Sequence, residues 1–224
     1  MKTRLVPPLS PRAAAALNTC FLADMSANIL EAARSMPIDG HIAYATMGSE
    51  AFFRENSPQG MKLLPPRELG LGQSLRHAAA DLLAAGYAAV CLVNSDSPNL
   101  PTKILVETTR ILLRDPERVV LGPCDDGGYY LIGMARLHAR LFEDIAWSTD
   151  QVLTQTLDRA AEIGVEVALM PEWYDVDDAA SLARLEAELS GRAPFAGLRP
   201  FAAPRSRARL CPGGASARGD APAL

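Results

Sequence analysis

The chain has 224 residues, 49% of them hydrophobic, which is enough for one packed domain with an appended segment. Its net charge of −4 gives no global attraction to nucleic acid or to an anionic membrane. The four cysteines, Cys20, Cys91, Cys124 and Cys211, are far apart and form no zinc pair or C-x-x-C motif. With no apolar leader after Met1 and Lys2, and no uninterrupted apolar run of about 18 residues, a cytoplasmic protein with reduced thiols is expected.

Ser10 followed by Pro11 is a strong helix start, and Leu17, Phe21, Met25, Ile29 and Leu30 recur at helical spacing behind it. This predicts a helix over 11–35. Residues 42–46 and 62–64 read as short strands, with one helical turn near 51–54 between them. A helix over about 75–85 follows Gly70 and Gly72 and ends at Gly86.

Residues 88–93 are a continuous apolar run, the pattern of a strand buried on both faces. The run stops abruptly at Asn94-Ser95-Asp96-Ser97-Pro98. Asp96 therefore sits where an open α/β sheet places ligand chemistry, although an Asp there also suits a cap for the helix predicted over 101–114.

A strand over 119–121 is followed by Cys124-Asp125-Asp126-Gly127-Gly128-Tyr129-Tyr130 and a second strand over about 128–133. The link between them is too short for a helical crossover, so the pair is expected to include an antiparallel or strongly turned segment. Gly127 and Gly128 let backbone approach a ligand, or simply make a tight turn. Tyr129 and Tyr130 alternate in facing, so at most one faces a site. A short helix over 137–142, Trp147-Ser148-Thr149, a helix over 150–163, a strand over 165–170 and a helix over 179–189 complete the body. Strands alternating with helices predict a three-layer α/β/α sandwich with a mostly parallel mixed sheet. We assign residues 1–190 to that domain. Residues 191–224 hold six arginines against one acid, with scattered prolines and no periodicity, and read as a disordered tail.

Asp96, Asp125, Asp126, Asp175 and Asp177 lie at strand or loop ends without His or Cys partners at ligand spacing. Such carboxylates suit a hard cation, Mg²⁺ or Mn²⁺, serving a phosphorylated ligand, with Lys2 and Arg4 as countercharges. The sequence has no G-x-S-x-G elbow, Walker A, H-E-x-x-H or dinucleotide fingerprint, and His41, His77 and His138 stand alone.

Five stretches occur in order: Lys-Thr-Arg-Leu at 2–5, Asn-Ser-Asp-Ser-Pro-Asn-Leu-Pro at 94–101, Leu-Gly-Pro-Cys-Asp-Asp-Gly-Gly-Tyr-Tyr-Leu-Ile-Gly at 121–133, Trp-Ser-Thr at 147–149 and Tyr-Asp-Val-Asp at 174–177. Together they resemble the bacterial DUF2064 family, glycosyltransferase-like proteins of the GT-A (nucleotide-diphospho-sugar transferase) superfamily. The resemblance spans about residues 2–190. It implies a metal-assisted transfer from a nucleotide-activated sugar to a small-molecule acceptor. Asn94-Ser95-Asp96 takes the place of the metal-binding Asp-x-Asp motif, with Asn at its first position. The resemblance implies Asp96 as metal ligand and catalytic group, Asp177 as second metal ligand or ribose contact, and Asp126 as catalytic base or as an acceptor or sugar contact. Lys2, Arg4, Asn94, Ser95, Asp125, Gly127, Gly128, Tyr129 and Trp147 become the substrate- and nucleotide-binding set.

Members usually carry an apolar strand and a Pro-Gly loop ahead of Lys-Thr-Arg-Leu, and this sequence begins at Met1-Lys2. The expectation is a sheet without its usual first strand, with a free edge that favours a homo-oligomer. The Lys-Thr-Arg-Leu stretch is also similar to the Lys-Ser-Arg-Leu of phospholactate guanylyltransferases. Guanylyl- or cytidylyl-type transfer from a nucleoside triphosphate to a phosphorylated acceptor is therefore the alternative. A non-catalytic binding protein that has lost its donor site is the third reading.

Overall fold

The structure, a computed structural model, describes residues 3–67, 69–193 and 197–212. A 3-10 turn, Thr3–Leu5, leads into α1, Pro11–Ala32. Ser10 caps α1 by accepting a hydrogen bond from the Ala13 amide at 3.2 Å, with Pro11 in the first helical turn. There follow β1 (His41–Ile42), α2 (Glu50–Asn56), β2 (Lys62–Leu63), α3 (Leu71–Ala84), β3 (Val90–Val93) and α4 (Thr102–Arg114). Then come β4 (Val119–Pro123), β5 (Tyr129–Met134), a 3-10 turn (Ala139–Phe142), α5 (Val152–Glu162), β6 (Val167–Leu169), α6 (Ala179–Leu189) and α7 (Pro204–Leu210).

The main sheet has the order β3-β5-β4-β6. β5 runs antiparallel to both neighbours, β3 and β4, while β4 and β6 are parallel. Three of the four strands thus point the same way, and the β4–β5 pair turns back on itself as its short link requires. β1 and β2 form a separate parallel pair. Among the described residues β3 pairs only with β5, so it is an edge strand.

Alternation along the strands sends side chains into two cores. Val119, Leu121 and Ile132 pack with Ala79 and Leu82 of α3 and Ala160 of α5. Val120 and Leu131 pack with Met25 and Ala32 of α1 and with Ile104, Leu105 and Leu112 of α4. The result is the three-layer sandwich expected. Fully burying a side chain of this size stabilises the fold by roughly 1.5–3 kcal/mol. A third cluster closes the molecule beside the sheet. It joins Leu5, the first half of α1, Tyr174, Val176, α6 and Ala203.

By length and composition alone α1 could cross a membrane. Its apolar residues Leu17, Phe21 and Met25 face protein, and its fully buried polar residues have partners. Asn28 donates to the Leu100 carbonyl at 2.6 Å, and Asp24 accepts from the amides of Arg205 and Ser206 at 2.9 and 2.7 Å.

Asp24 corrects one expectation. The stretch read as a disordered tail contains α7, which packs on α1. Its sequence, Pro-Arg-Ser-Arg-Ala-Arg-Leu, has almost no apolar periodicity. What holds it is a carboxylate far away in the chain, together with burial of Ala203 and Ser206. Residues 194–196 and 213–224 of that stretch lie outside the described residues.

Replacing Asp24 with Ala strands two amides in a buried place. We expect Asp24→Ala to cost about 1–3 kcal/mol, read as a fall in the urea midpoint. A chain ended at residue 196 should lose at least as much, because it leaves the Asp24 carboxylate without its amide partners and uncovers the cluster that Ala203 packs against.

Candidate active site

β3 continues in hydrogen bonding one residue past its end, where the Asn94 amide donates to the Tyr130 carbonyl at 3.0 Å. The chain then turns sharply. The Asn94 side-chain oxygen accepts from the Asp96 amide at 3.2 Å, an Asx turn that aims residues 95 and 96 out of the sheet. Ser97, Pro98, Asn99 and Leu100 behind them are buried.

The segment before α6 threads between this turn and the end of β4. On one side the Val176 amide donates to the Asp96 carbonyl at 2.9 Å. On the other, the Trp173 amide donates to the Pro123 carbonyl at 3.0 Å and the Asp125 amide to the Trp173 carbonyl at 3.2 Å. Asp175 lies between them. Its two carboxylate oxygens accept from the Asn94 amide group at 2.8 Å each, and the Ser97 hydroxyl stands 2.7 Å from Oδ1. The Cys124 thiol lies beside the same carboxylate. Burial raises the Asp175 carboxyl above its ordinary value and Asp96 adds to that, while the hydrogen bonds from Ser97 and Asn94, and then the Cys124 thiol, pull it back. The Cys124 thiol is pushed well above its ordinary value, by burial first and then by Asp175, Asp126 and Asp125.

Residues 124–128 form a tight turn closed by the Cys124 amide on the Gly128 carbonyl at 3.0 Å. Asp126 Oδ1 accepts from the Gly128 amide at 2.9 Å, so the side chain holds its own turn while standing exposed. Asp125 is also exposed, 3.5 Å from Arg184 Nη1. Arg184 stacks over the Tyr174 ring at 3.7 Å and bonds Glu188 at 3.2 Å. Burial raises the Asp125 carboxyl, and Arg184 opposes it. Gly127 has φ +84° and touches the start of α5 so closely that a Cβ would stand 2.2 Å from the Asp150 carbonyl oxygen. The Leu153 amide, in α5, donates to the Gly127 carbonyl at 2.9 Å.

Arg4 ion-pairs with Asp177. The pair brings the N-terminal stretch to the 174–177 segment, as the order of the motifs suggested. Lys2 lies outside the described residues.

Two further expected contacts stand on an adjoining wall. Trp147 packs edge-on to Tyr129 at 6.4 Å and close against Gly72, where a Cβ would be 2.3 Å from its Nε1. The Tyr129 hydroxyl is buried beside Thr156 of α5 and its ionisation is pushed up by that burial. Tyr129 therefore serves the core with its hydroxyl, a correction to its place among the binding groups. Tyr130 is buried too and donates to the Pro171 carbonyl at 2.8 Å, its ring crossing directly over Gly122.

The structure thus brings together Arg4, Asn94, Ser95, Asp96, Asp125, Asp126 and Asp177 around the 173–177 segment. Sequence reasoning missed Ser97, Cys124 and, above all, the role of Asp175. The Tyr-Asp-Val-Asp stretch marked two acids, but nothing in it says which one turns inward.

A family model for uncharacterized proteins conserved in bacteria, DUF2064, matches residues 28–149. The chain belongs to this family. A crystal structure from Desulfovibrio desulfuricans G20, provisionally named a nucleotide-diphospho-sugar transferase, is similar over 94% of this chain and 90% of its own, with 27% identity and a TM-score of 0.74. No curated protein matches. The DUF2064 domain here is GT-A-like, with the acidic turns at the end of β3 and between β4 and β5.

Gly127→Ala should destabilise this DUF2064 domain by about 2 kcal/mol or more, since it combines a left-handed backbone with a backbone clash. Gly86 has φ +95° but open space around its Cβ position. Gly86→Ala should cost only about 1 kcal/mol. The difference between their urea midpoints isolates the contact with Asp150.

Proposed function

We propose that this protein is a metal-dependent, glycosyltransferase-like enzyme that uses a nucleotide-activated sugar donor and a small-molecule acceptor. The observation that carries this reading is the stitching of residues 94–97, 123–125 and 173–177 into one acidic face, with Arg4 alongside. The likeness to a protein named for nucleotide-diphospho-sugar transfer supports the donor class.

Among the described residues no three His, Cys, Asp or Glu groups are placed to hold a metal ion by themselves. Asp175 is committed to Asn94 and Ser97, and Asp177 to Arg4. The donor set nonetheless fits Mg²⁺ or Mn²⁺ in the mode where one or two carboxylates hold a cation that keeps waters and takes substrate phosphate oxygens. Asp96 would be the first carboxylate for that role, and Asp177 the second once Arg4 turns from it to the donor phosphate. The bound cation would supply charge neutralisation for the departing diphosphate.

The other roles belong to the chain. Arg4 offers a guanidinium fork to phosphate. Asn94 and Ser95 shape the turn that presents Asp96. Gly127 makes the turn against Asp150, which leaves Gly128 to let the donor approach backbone. Asp126, exposed on its turn, is the base we assign to the attacking acceptor hydroxyl. Asp125 lines the same turn, and Trp147, packed on Tyr129, is the remaining binding contact in this reading.

Arg4 also favours a second reading. A cation beside the acidic face suits triphosphate handling, as in a nucleotidyltransferase.

A thermal-shift screen with Mg²⁺ or Mn²⁺ separates these. At a hundredfold excess over Kd, a nucleotide sugar or nucleoside diphosphate should raise the midpoint by roughly 5 °C or more. The rise should vanish with EDTA and in Asp96→Ala. A rise with triphosphates alone selects the nucleotidyltransferase. No rise with any nucleotide sinks both readings.

A further inference from the structure

Asn94 is the one place where the Asp-x-Asp pattern is broken, and the structure supplies a chemical reason. An amide has a donor end and an acceptor end, and both are used. Its Nδ2 points at both oxygens of Asp175 at 2.8 Å, and its Oδ1 accepts from the Asp96 amide at 3.2 Å. A carboxylate at position 94 would face Asp175 with like charge at hydrogen-bond distance. Asn94 and Asp175 are therefore a matched donor–acceptor pair.

Asp175 has little capacity left for a ligand. Its oxygens are met by the Asn94 amide and by the Ser97 hydroxyl at 2.7 Å, with the Cys124 thiol beside them. The backbone continues the same join, with the buried Val176 donating to the Asp96 carbonyl at 2.9 Å. Asp96 is thus gripped through its own amide by Asn94 and through its carbonyl by Val176, and both grips lead back to residue 175 or its neighbour.

We propose that Asp175 is a positioning residue: through Asn94 and Ser97 it fixes the turn that presents Asp96, and it does not itself touch the ligand. This rests on the reading of Asp96 as a ligand-binding carboxylate. It also assigns Asn94 a purpose other than that of a weakened metal ligand.

Two measurements on the full chain test it. The first is amide hydrogen exchange at Val176, which reports the turn whatever the ligand. The second is binding of Mn²⁺ together with ADP, GDP or UDP, each in turn. Asp175→Asn sets one amide group against another. It should speed exchange at Val176 about tenfold or more relative to global unfolding, and weaken nucleotide binding by a similar factor. Asn94→Asp, although it completes Asp-x-Asp, should weaken binding as well. The swapped pair, Asn94→Asp with Asp175→Asn, should recover most of the Val176 protection, because the donor and acceptor have only changed sides.

Three results would overturn the proposal. One is stronger binding by Asn94→Asp, which makes residue 94 a ligand. Another is loss of binding in Asp175→Asn with Val176 exchange unchanged, which makes Asp175 a direct contact. The last is failure of the swapped pair to restore protection. If the unmodified chain binds no nucleotide, the functional reading falls, and exchange at Val176 alone decides the positioning role. Should Asp175→Asn not fold, Ser97→Ala removes one of the same bonds and is expected to show the same exchange effect in weaker form.

Discussion

The Asp175 carboxylate sits where three separated stretches of chain meet. Asn94 and Ser97 reach it from the end of β3, and its own segment is tied to the end of β4 by the backbone of Trp173 before leading into α6. A partly buried carboxylate is costly unless its lone pairs are met, so the 94–97 turn and the 173–177 segment cannot separate without leaving a charge unsatisfied. That constraint explains the spacing of the motifs. They are far apart in sequence because each ends a different structural element. Three of them, at 94–101, 121–133 and 174–177, come together around this carboxylate.

The sheet prepares this meeting. β3 and β4 point the same way with β5 between them, so residues 94–97 and 123–125 leave the sheet at the same edge. The parallel register of β4 with β6 delivers the chain back to that edge at Met170, whose amide donates to the Leu121 carbonyl at 2.8 Å. Trp173 then extends the pairing by a bridge to Cys124. The acidic face is therefore the direct continuation of strand pairing, and its rigidity comes from the ladder beneath it. The aromatic wall of Tyr129 and Trp147 depends on the opposite core, through Gly72 and Thr156.

Much of this arrangement was legible in the sequence because it is written in local chemistry. Ser10-Pro11 starts α1, the bounds of α6 match the helix expected over 179–189, and the brevity of the link after β4 forces β5 to run back. What escaped reading has a common cause. α7 is held by Asp24 across most of the chain, and no pattern in Pro-Arg-Ser-Arg-Ala-Arg-Leu signals that partner. Asp175 and Asp177 look alike in sequence, yet one turns to Asn94 and the other to Arg4. Tyr129 was placed in the site by its motif, and its hydroxyl went to the core because β5 turns that face toward α5. Side-chain facing at the ends of strands depends on tertiary partners, which spacing does not encode.

Asn99 carries the argument from the site to the C-terminal stretch. It is fully buried, so each of its polar atoms needs a partner. Its amide group donates to the Tyr174 hydroxyl at 3.0 Å and to Glu188 of α6 at 2.7 Å, and its backbone carbonyl accepts from the Phe201 amide at 3.1 Å. The residues just behind the Asp96 turn are therefore braced by α6 and by the segment leading into α7. That segment is in turn pinned by Asp24 on α1, and α1 is tied to the same turn where Asn28 donates to the Leu100 carbonyl. The chain closes a ring of polar contacts around the back of the site. A stretch with the composition of a tail thus acts as a buttress, because the polar atoms it satisfies are buried and have no water to turn to.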